Sequence, residues 1–89
     1  MAWTVEFGEA AAKQLSDLDR PVARRIVSFL RERVADGQDP RRLGHALKGS
    51  TLGQFWRYRV GDYRIVASIE DERLVILVVR IAHRREVYR

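Results

Sequence analysis

The first third of the chain shows one short strand pattern followed by two helical patterns. Apolar and polar residues alternate from Trp3 to Phe7, which predicts a short strand. The Ala-rich segment Glu9 to Leu18 predicts a helix, and a second helix is expected after Asp19, with Pro21 in its first turn. The second helix carries its apolar residues on one stripe: Val22, Ile26, Phe29, Leu30 and Val34. The two helices are expected to form a hairpin.

The period of the pattern changes to that of strands in the last third. Three segments predict an antiparallel meander: Gln54 to Val60, Tyr63 to Ile69 and Leu74 to Ala82. Arg41 to Gly53 has no sustained period and is expected to be an irregular connection. The chain of 89 residues is therefore expected to be one α+β domain spanning residues 1–89.

The turn between the first two strands of the meander predicts their register. Glycine at the first position of Gly61-Asp62 suits a type II′ turn, which pairs Val60 with Tyr63 and Arg59 with Arg64. Alternation then puts three arginines on one sheet face, here called the arginine face: Arg57, Arg59 and Arg64. The opposite face is apolar and is expected to pack on the helices: Trp56, Tyr58, Val60, Tyr63, Ile65, Ala67 and Ile69.

The faces of the last strand depend on the length of the turn before it. An even turn adds these residues to the arginine face: Val75, Leu77, Val79, Ile81 and His83. It adds Leu74, Ile76 and Val78 to the core, and an odd turn exchanges the two sets.

Charge is unevenly distributed along the chain. Residues 1–40 hold six Lys/Arg against seven Asp/Glu, whereas residues 41–89 hold eleven against five, and the net charge is +5. This asymmetry indicates a polyanionic partner, either nucleic acid or an acidic protein. Opposed arginines repel each other, and a bound phosphate relieves that repulsion. A solvated face, or ion pairs with acids of the helices, is the alternative interpretation.

Composition excludes several classes of site. The chain has no cysteine, so disulfides and thiolate sites are excluded. His45 and His83 are its only histidines, and no acidic cluster lies near either at ligand spacing apart from Glu86, three residues after His83, so neither a metal nor another cofactor is expected. The N-terminus lacks a secretory pattern and no apolar run reaches the length of a membrane span, so a cytoplasmic protein without a membrane partner is expected.

Three motifs in this order resemble the RelE family of the RelE/ParE toxin superfamily. They are Leu47-Lys48-Gly49, the segment Trp56 to Arg64, and the terminal segment His83 to Tyr88. The resemblance spans nearly the whole chain. It implies a β-α-α-β-β-β fold with an antiparallel sheet backed by the helical hairpin. It also implies a cognate antitoxin, and cleavage of mRNA on the ribosome near the 16S rRNA of the A site.

The resemblance also implies which residues act on RNA. Carried across, the residues that hold and cleave RNA in the family become Arg57, Arg59, Arg64, Arg84 and Tyr88. The expected RNA-binding and phosphate-binding set, which also includes Lys48, is Lys48, Arg57, Arg59 and Arg64. The expected catalytic set, which also includes His83 for its proton exchange near neutral pH, is Arg64, His83, Arg84 and Tyr88. This chain departs from the family in having arginine at both second-strand positions, where lysine is found in the best-known members. Its tail is also shorter, without the final helix of some relatives.

Cleavage of RNA without a metal needs a base for the 2′-OH, positive charge at the phosphorane and an acid for the leaving 5′-oxygen. Arginine stays protonated, so it does not act as the base. His83 and Tyr88 are the candidate proton-exchanging groups, and their roles as acid and base stay open.

Two other functions compete with the nuclease. A ParE-like toxin shares the fold but inhibits DNA gyrase by binding. A catalytically silent protein would use its basic face only to bind an acidic antitoxin segment.

Overall fold

The computed structural model describes residues 3–37, 39–47 and 55–87. Its elements in chain order are strand β1 (Thr4–Phe7), helices α1 (Glu9–Ser16) and α2 (Arg20–Ser28), strands β2 (His45–Ala46), β3 (Phe55–Val60), β4 (Tyr63–Glu70) and β5 (Val75–His83), and the helical turn α3 (Arg84–Val87). The α2 helix continues directly into a π-helical stretch, Phe29–Val34, and a 3₁₀ turn, Pro40–Leu43, precedes β2.

The strands form one mixed sheet in the order β1-β5-β4-β3-β2. The pairs from β2 to β5 are antiparallel, whereas β1 lies parallel to β5, with Thr4 opposite Val75 and Phe7 opposite Val78. The predicted α+β fold is confirmed, but the sheet is not antiparallel throughout. The helical hairpin carries the chain from one edge of the sheet toward the other, and the meander brings β5 back beside β1.

The core lies between the helices and one face of the sheet. The predicted helical stripe is confirmed at Ile26, Leu30 and Val34, which are all buried. In the π-helical stretch the Ala35 amide donates to the Leu30 carbonyl at 2.7 Å, and this wider turn buries Ala35 beside Val34. In the part of the chain that the structure describes, no helix has the length and apolarity needed to cross a membrane.

Three local features differ from the sequence-based expectations. The connection expected to be irregular contains the 3₁₀ turn and the two-residue strand β2. A helical turn, α3, follows β5 where no final helix was expected. Leu74 was expected in the core but lies in the turn after β4, with a left-handed φ of 54°. Lys48, Gln54 and Tyr88 lie outside the described residues.

A β-bulge in β5 changes which of its residues face the arginines. The turn before β5 has four residues, 71–74, so Leu77 pairs with Ser68 on the arginine face and Ile76 and Val78 join the core, as an even turn predicts. Between Val78 and Arg80 one extra residue, Val79, interrupts the ladder.

The bulge reverses the alternation for the rest of the strand. Arg80 pairs with Val66 and Ala82 with Arg64, so both lie on the arginine face. Ile81 and His83 pair with Ile65 and Tyr63 on the core face. The expectation that Ile81 and His83 share the arginine face is therefore wrong, because a bulge cannot be read from the alternation of residue types.

Candidate nucleic-acid interface

The β3–β4 hairpin has the predicted turn and register. Gly61 has a φ of 59° while Asp62 does not have a positive φ, as a type II′ turn requires. Val60 lies opposite Tyr63, Arg59 opposite Arg64 and Arg57 opposite Val66. The hairpin therefore holds its three arginines on one face.

Arg57 and Arg59 form the open part of that face. Arg59 is exposed and Arg57 is half-buried, and both line a cavity of about 650 Å³ together with His45, Ala46 and Leu47. No described carboxylate lies within 4.0 Å of the Arg59 guanidinium. Pairing with acids of the helices therefore does not account for Arg59, and its charge is available to a ligand.

Arg64 lies on the same face but is almost completely buried, at 4% exposure. Its Nη1 donates to the carbonyls of Gly61 and Tyr63, both at 3.3 Å, and its buried Nε has no hydrogen-bond partner among the described residues. A guanidinium stays charged even when buried. In this conformation Arg64 braces the hairpin turn, and its positive charge lies next to Arg59, its direct partner across the strand pair.

The turn also anchors Arg84. The Arg84 amide donates to the Asp62 carbonyl at 2.7 Å, and its Nε lies 4.0 Å from the Asp62 carboxylate. Because α3 contacts both β4 and β5, the chain after β5 is held at the end of the sheet where Arg64 lies. Arg64 and Arg84 are 20 positions apart in sequence, and both donate to carbonyls of the Gly61-Asp62 turn.

His83 does not lie with the arginines. It is half-buried on the core face, where its ring meets Tyr63 edge-on, with centroids 5.4 Å apart and planes at 85°. Its Nδ1 accepts a hydrogen bond of 3.3 Å from the Arg85 amide, within the turn that starts α3. These contacts give His83 a role in holding the start of α3.

The other histidine, His45, lies on the arginine face. It is exposed on β2 and pairs directly with Arg57, so the two side chains share one face, and it lines the same cavity as Arg57 and Arg59. Sequence reasoning considered His45 only as a metal ligand. No local signal could have placed it, because its position depends on pairing with a strand that starts ten residues later.

One buried contact and one exposed ion pair fix the 3₁₀ turn that precedes β2. The hydroxyl of Tyr58, which is fully buried, donates to the Pro40 carbonyl at 2.6 Å, and burial raises the pKa of Tyr58 to about 12. Arg41 lies 5.9 Å from the centre of the Trp56 ring and donates to Asp71 at 2.6 Å. This hydrogen bond raises the pKa of Arg41 and lowers that of Asp71. The backbone that carries His45 is thereby tied to β3 and to the β4–β5 turn.

No group of three or more His, Cys, Asp or Glu residues is placed to hold a metal ion within residues 3–37, 39–47 and 55–87.

Residues 5–88 match the family described as the ParE toxin of the type II toxin–antitoxin system, parDE. This chain is a toxin of the RelE/ParE superfamily. The toxin is 30% identical to Toxin RelG of Mycobacterium tuberculosis over 89 residues, which cover 100% of this chain and 99% of that protein.

Solved structures support the same assignment of the toxin. A chain of the toxin–antitoxin complex RelBE2 of M. tuberculosis has a TM-score of 0.83 and 26% identity, covering 93% of the toxin and 92% of that chain. A chain of the intact RelBE complex of E. coli has a TM-score of 0.75 over 92% of the toxin and 96% of that chain, and at 24% identity it supports the fold alone.

Proposed function

We propose that this toxin is a metal-independent endoribonuclease that cleaves mRNA on translating ribosomes near the A site and thereby inhibits translation. The observation that carries the proposal is the open cavity of about 650 Å³ on the arginine face, which is lined by the exposed Arg59 and the half-buried Arg57. Guanidinium groups bind phosphate oxygens through forked hydrogen bonds, and charge at the phosphorane is what such a reaction must stabilise. The similarity to RelG and RelE toxins supports this choice.

The proposed reaction is a transesterification within the RNA strand. The ribose 2′-oxygen attacks the adjacent phosphorus and loses its proton to a base, while the bond from phosphorus to the 5′-oxygen breaks and that oxygen takes up a proton. The products are a 2′,3′-cyclic phosphate and a 5′-hydroxyl. Arg57 and Arg59 hold the phosphate, Arg64 adds charge from its position opposite Arg59, and Arg84 stabilises the leaving oxygen. Lys48 keeps its expected RNA-binding role, and Tyr88 keeps the catalytic role that the resemblance implies.

The proposed partners of the toxin are mRNA, the ribosome and a cognate antitoxin, and its proposed location is the cytoplasm. The similar RelBE structures are toxin–antitoxin complexes. An acidic antitoxin segment laid over Arg57 and Arg59 would neutralise the same charges that bind RNA.

Cleavage of mRNA on programmed ribosomes tests the proposal directly. We expect Arg57→Ala and Arg59→Ala each to lower the single-turnover cleavage rate by about 10- to 100-fold, because each removes a cation beside the developing charge. Primer extension on the mRNA measures the rate and the position of the cuts.

Arg20→Ala and Arg24→Ala are matched controls, since both arginines are exposed on α2 and neither lines the cavity. They should cleave at the wild-type rate. Intact mRNA with the wild-type toxin, or equal losses in all four variants, would contradict the proposal.

Inhibition of gyrase is the second candidate function, and the ParE description of the matching family favours it. A supercoiling assay with purified gyrase separates the two functions. Inhibition of supercoiling by the wild-type toxin, together with intact mRNA in the ribosome assay, would identify a gyrase inhibitor.

A further inference from the structure

We infer that His45 is the general base of the cleavage site and accepts the proton of the ribose 2′-OH. This inference rests on the proposed nuclease function and names a residue that acts in it. Histidine exchanges protons near neutral pH, whereas the arginines of the face remain protonated. A ribonuclease site built on arginines needs such a group within reach of the bound phosphate.

The sheet register places His45 where a base is needed. In an antiparallel pair, side chains directly opposite each other have Cβ atoms about 5 Å apart. His45 occupies that position relative to Arg57, so a phosphate held by Arg57 has its neighbouring ribose within reach of the imidazole. His45 is exposed and lines the cavity, so RNA can approach it without a rearrangement of the core.

The short strand that carries His45 is held at both ends. The Gly44 amide donates to Arg41 at 3.0 Å inside the 3₁₀ turn, and the Leu47 amide donates to Phe55 at 2.9 Å across the pair with β3. Gly44 packs so tightly on the Tyr58 ring that a Cβ there would lie 2.9 Å from Cε1. These contacts fix the backbone that carries His45 relative to β3 and thereby favour a defined distance between His45 and Arg57.

The charged residues that line the cavity with His45 are both arginines. Arg57 and Arg59 face it from β3, and Arg42 is exposed on the 3₁₀ turn just before β2. His83, the other histidine, is on the opposite face and its Nδ1 is engaged by the Arg85 amide. Of the two imidazoles, only His45 shares a face with the phosphate-binding arginines.

The test is the pH dependence of single-turnover mRNA cleavage on programmed ribosomes. The wild-type toxin is compared with three full-length variants: His45→Gln, His45→Arg and His83→Gln. Taking the ratio of each variant's rate to that of the wild type cancels the effect of pH on the ribosome. We expect His45→Gln to slow cleavage by about 100-fold at neutral pH, as loss of a general base does. The loss should shrink as the pH falls and the wild-type imidazole becomes protonated.

His45→Arg separates proton transfer from charge, since arginine keeps a cation at this position but exchanges no proton. It should be as slow as His45→Gln. A wild-type rate in His45→Arg would overturn the inference in favour of a purely electrostatic role. A pH-dependent slowing of cleavage in His83→Gln, with none in His45→Gln, would also overturn it.

We expect both His45 variants to unfold at the wild-type melting temperature, because the substituted residue is exposed. Normal cleavage by the wild type and by His45→Gln would overturn this inference alone. Absence of cleavage by the wild type would overturn both the inference and the proposed nuclease function.

Discussion

At the scale of single residues, Tyr58 connects the sheet to the segment that carries His45. Its ring is fully buried against Gly44, meets Phe29 edge-on at 6.3 Å between centroids, and ends in the hydroxyl bonded to the Pro40 carbonyl. A buried hydrogen bond of this kind contributes about 1 kcal/mol, and losing one partner leaves the other unsatisfied. Tyr58 therefore positions the edge of the arginine face although it lies on the core face.

Replacement of Tyr58 by Phe should lower the free energy of unfolding by about 1–2 kcal/mol at neutral pH. It should also change the response to alkali. The folded pKa of Tyr58 is raised to about 12 from an ordinary value near 10, so the wild type gains stability below pH 10 that it loses as the pH rises from 10 to 12. Urea unfolding at pH 7, 10 and 11 measures both effects.

Tyr63→Phe is the matched control, because Tyr63 is only half-buried and its ring lies at the end of the sheet. This variant should show the same alkaline loss as the wild type. An equal alkaline loss in Tyr58→Phe would mean that other groups cause the pH dependence.

At the scale of elements, the two-residue turn between β3 and β4 determines where several site residues lie. Gly61 has a left-handed φ of 59°, and a Cβ added there would lie 3.1 Å from Arg25 Nη1. The carbonyls of Gly61 and Asp62 accept from Arg64 and Arg84. A change in this turn therefore disturbs two arginines together.

Gly61→Ala should cost about 1–2 kcal/mol in unfolding free energy, because a side chain strains a left-handed residue. It should also slow mRNA cleavage. Gly37→Ala is the control, since Gly37 has no positive φ and a Cβ there meets its nearest atoms at an ordinary 3.7 Å. Thermal unfolding and the cleavage assay together measure the effects. Equal stability of the two variants would show that the turn tolerates a side chain.

The same turn explains why much of the sheet could be predicted. Gly61-Asp62 sets the register locally, so the pairing of Arg59 with Arg64 follows by counting. The burial of Arg64 did not follow, because it depends on packing at the end of the sheet rather than on alternation. The prediction of the sheet face on which His83 lies was wrong for another reason, because the bulge at Val79 results from long-range strand pairing.

At the scale of the whole molecule, the excess of positive charge makes stability and binding respond oppositely to salt. The net charge is +5, and residues 41–89 carry the excess. Raising NaCl from about 50 to about 500 mM shortens the Debye length and screens repulsion among the arginines. The melting temperature should therefore rise.

RNA binding should weaken over the same range, because binding phosphates releases condensed counterions. Differential scanning fluorimetry and fluorescence anisotropy with a non-cleavable 2′-O-methyl oligoribonucleotide measure the two responses. A fall in melting temperature with salt would mean that ion pairs such as Arg41 with Asp71 outweigh the repulsion.

The parallel pairing of β1 with β5 has a consequence for the order of folding during synthesis. Thr4 to Phe7 are made well before their sheet partners, Val75 to Val78, which lie 71 positions later in the sequence. Contacts this distant in sequence close late, because the entropy of a long loop must be overcome before they form. β5 is also the strand that joins β1 to β4. A nascent chain thus lacks a complete sheet until β5 has been made, so the ribosome that synthesises it has passed all four other strands before the five strands can assemble.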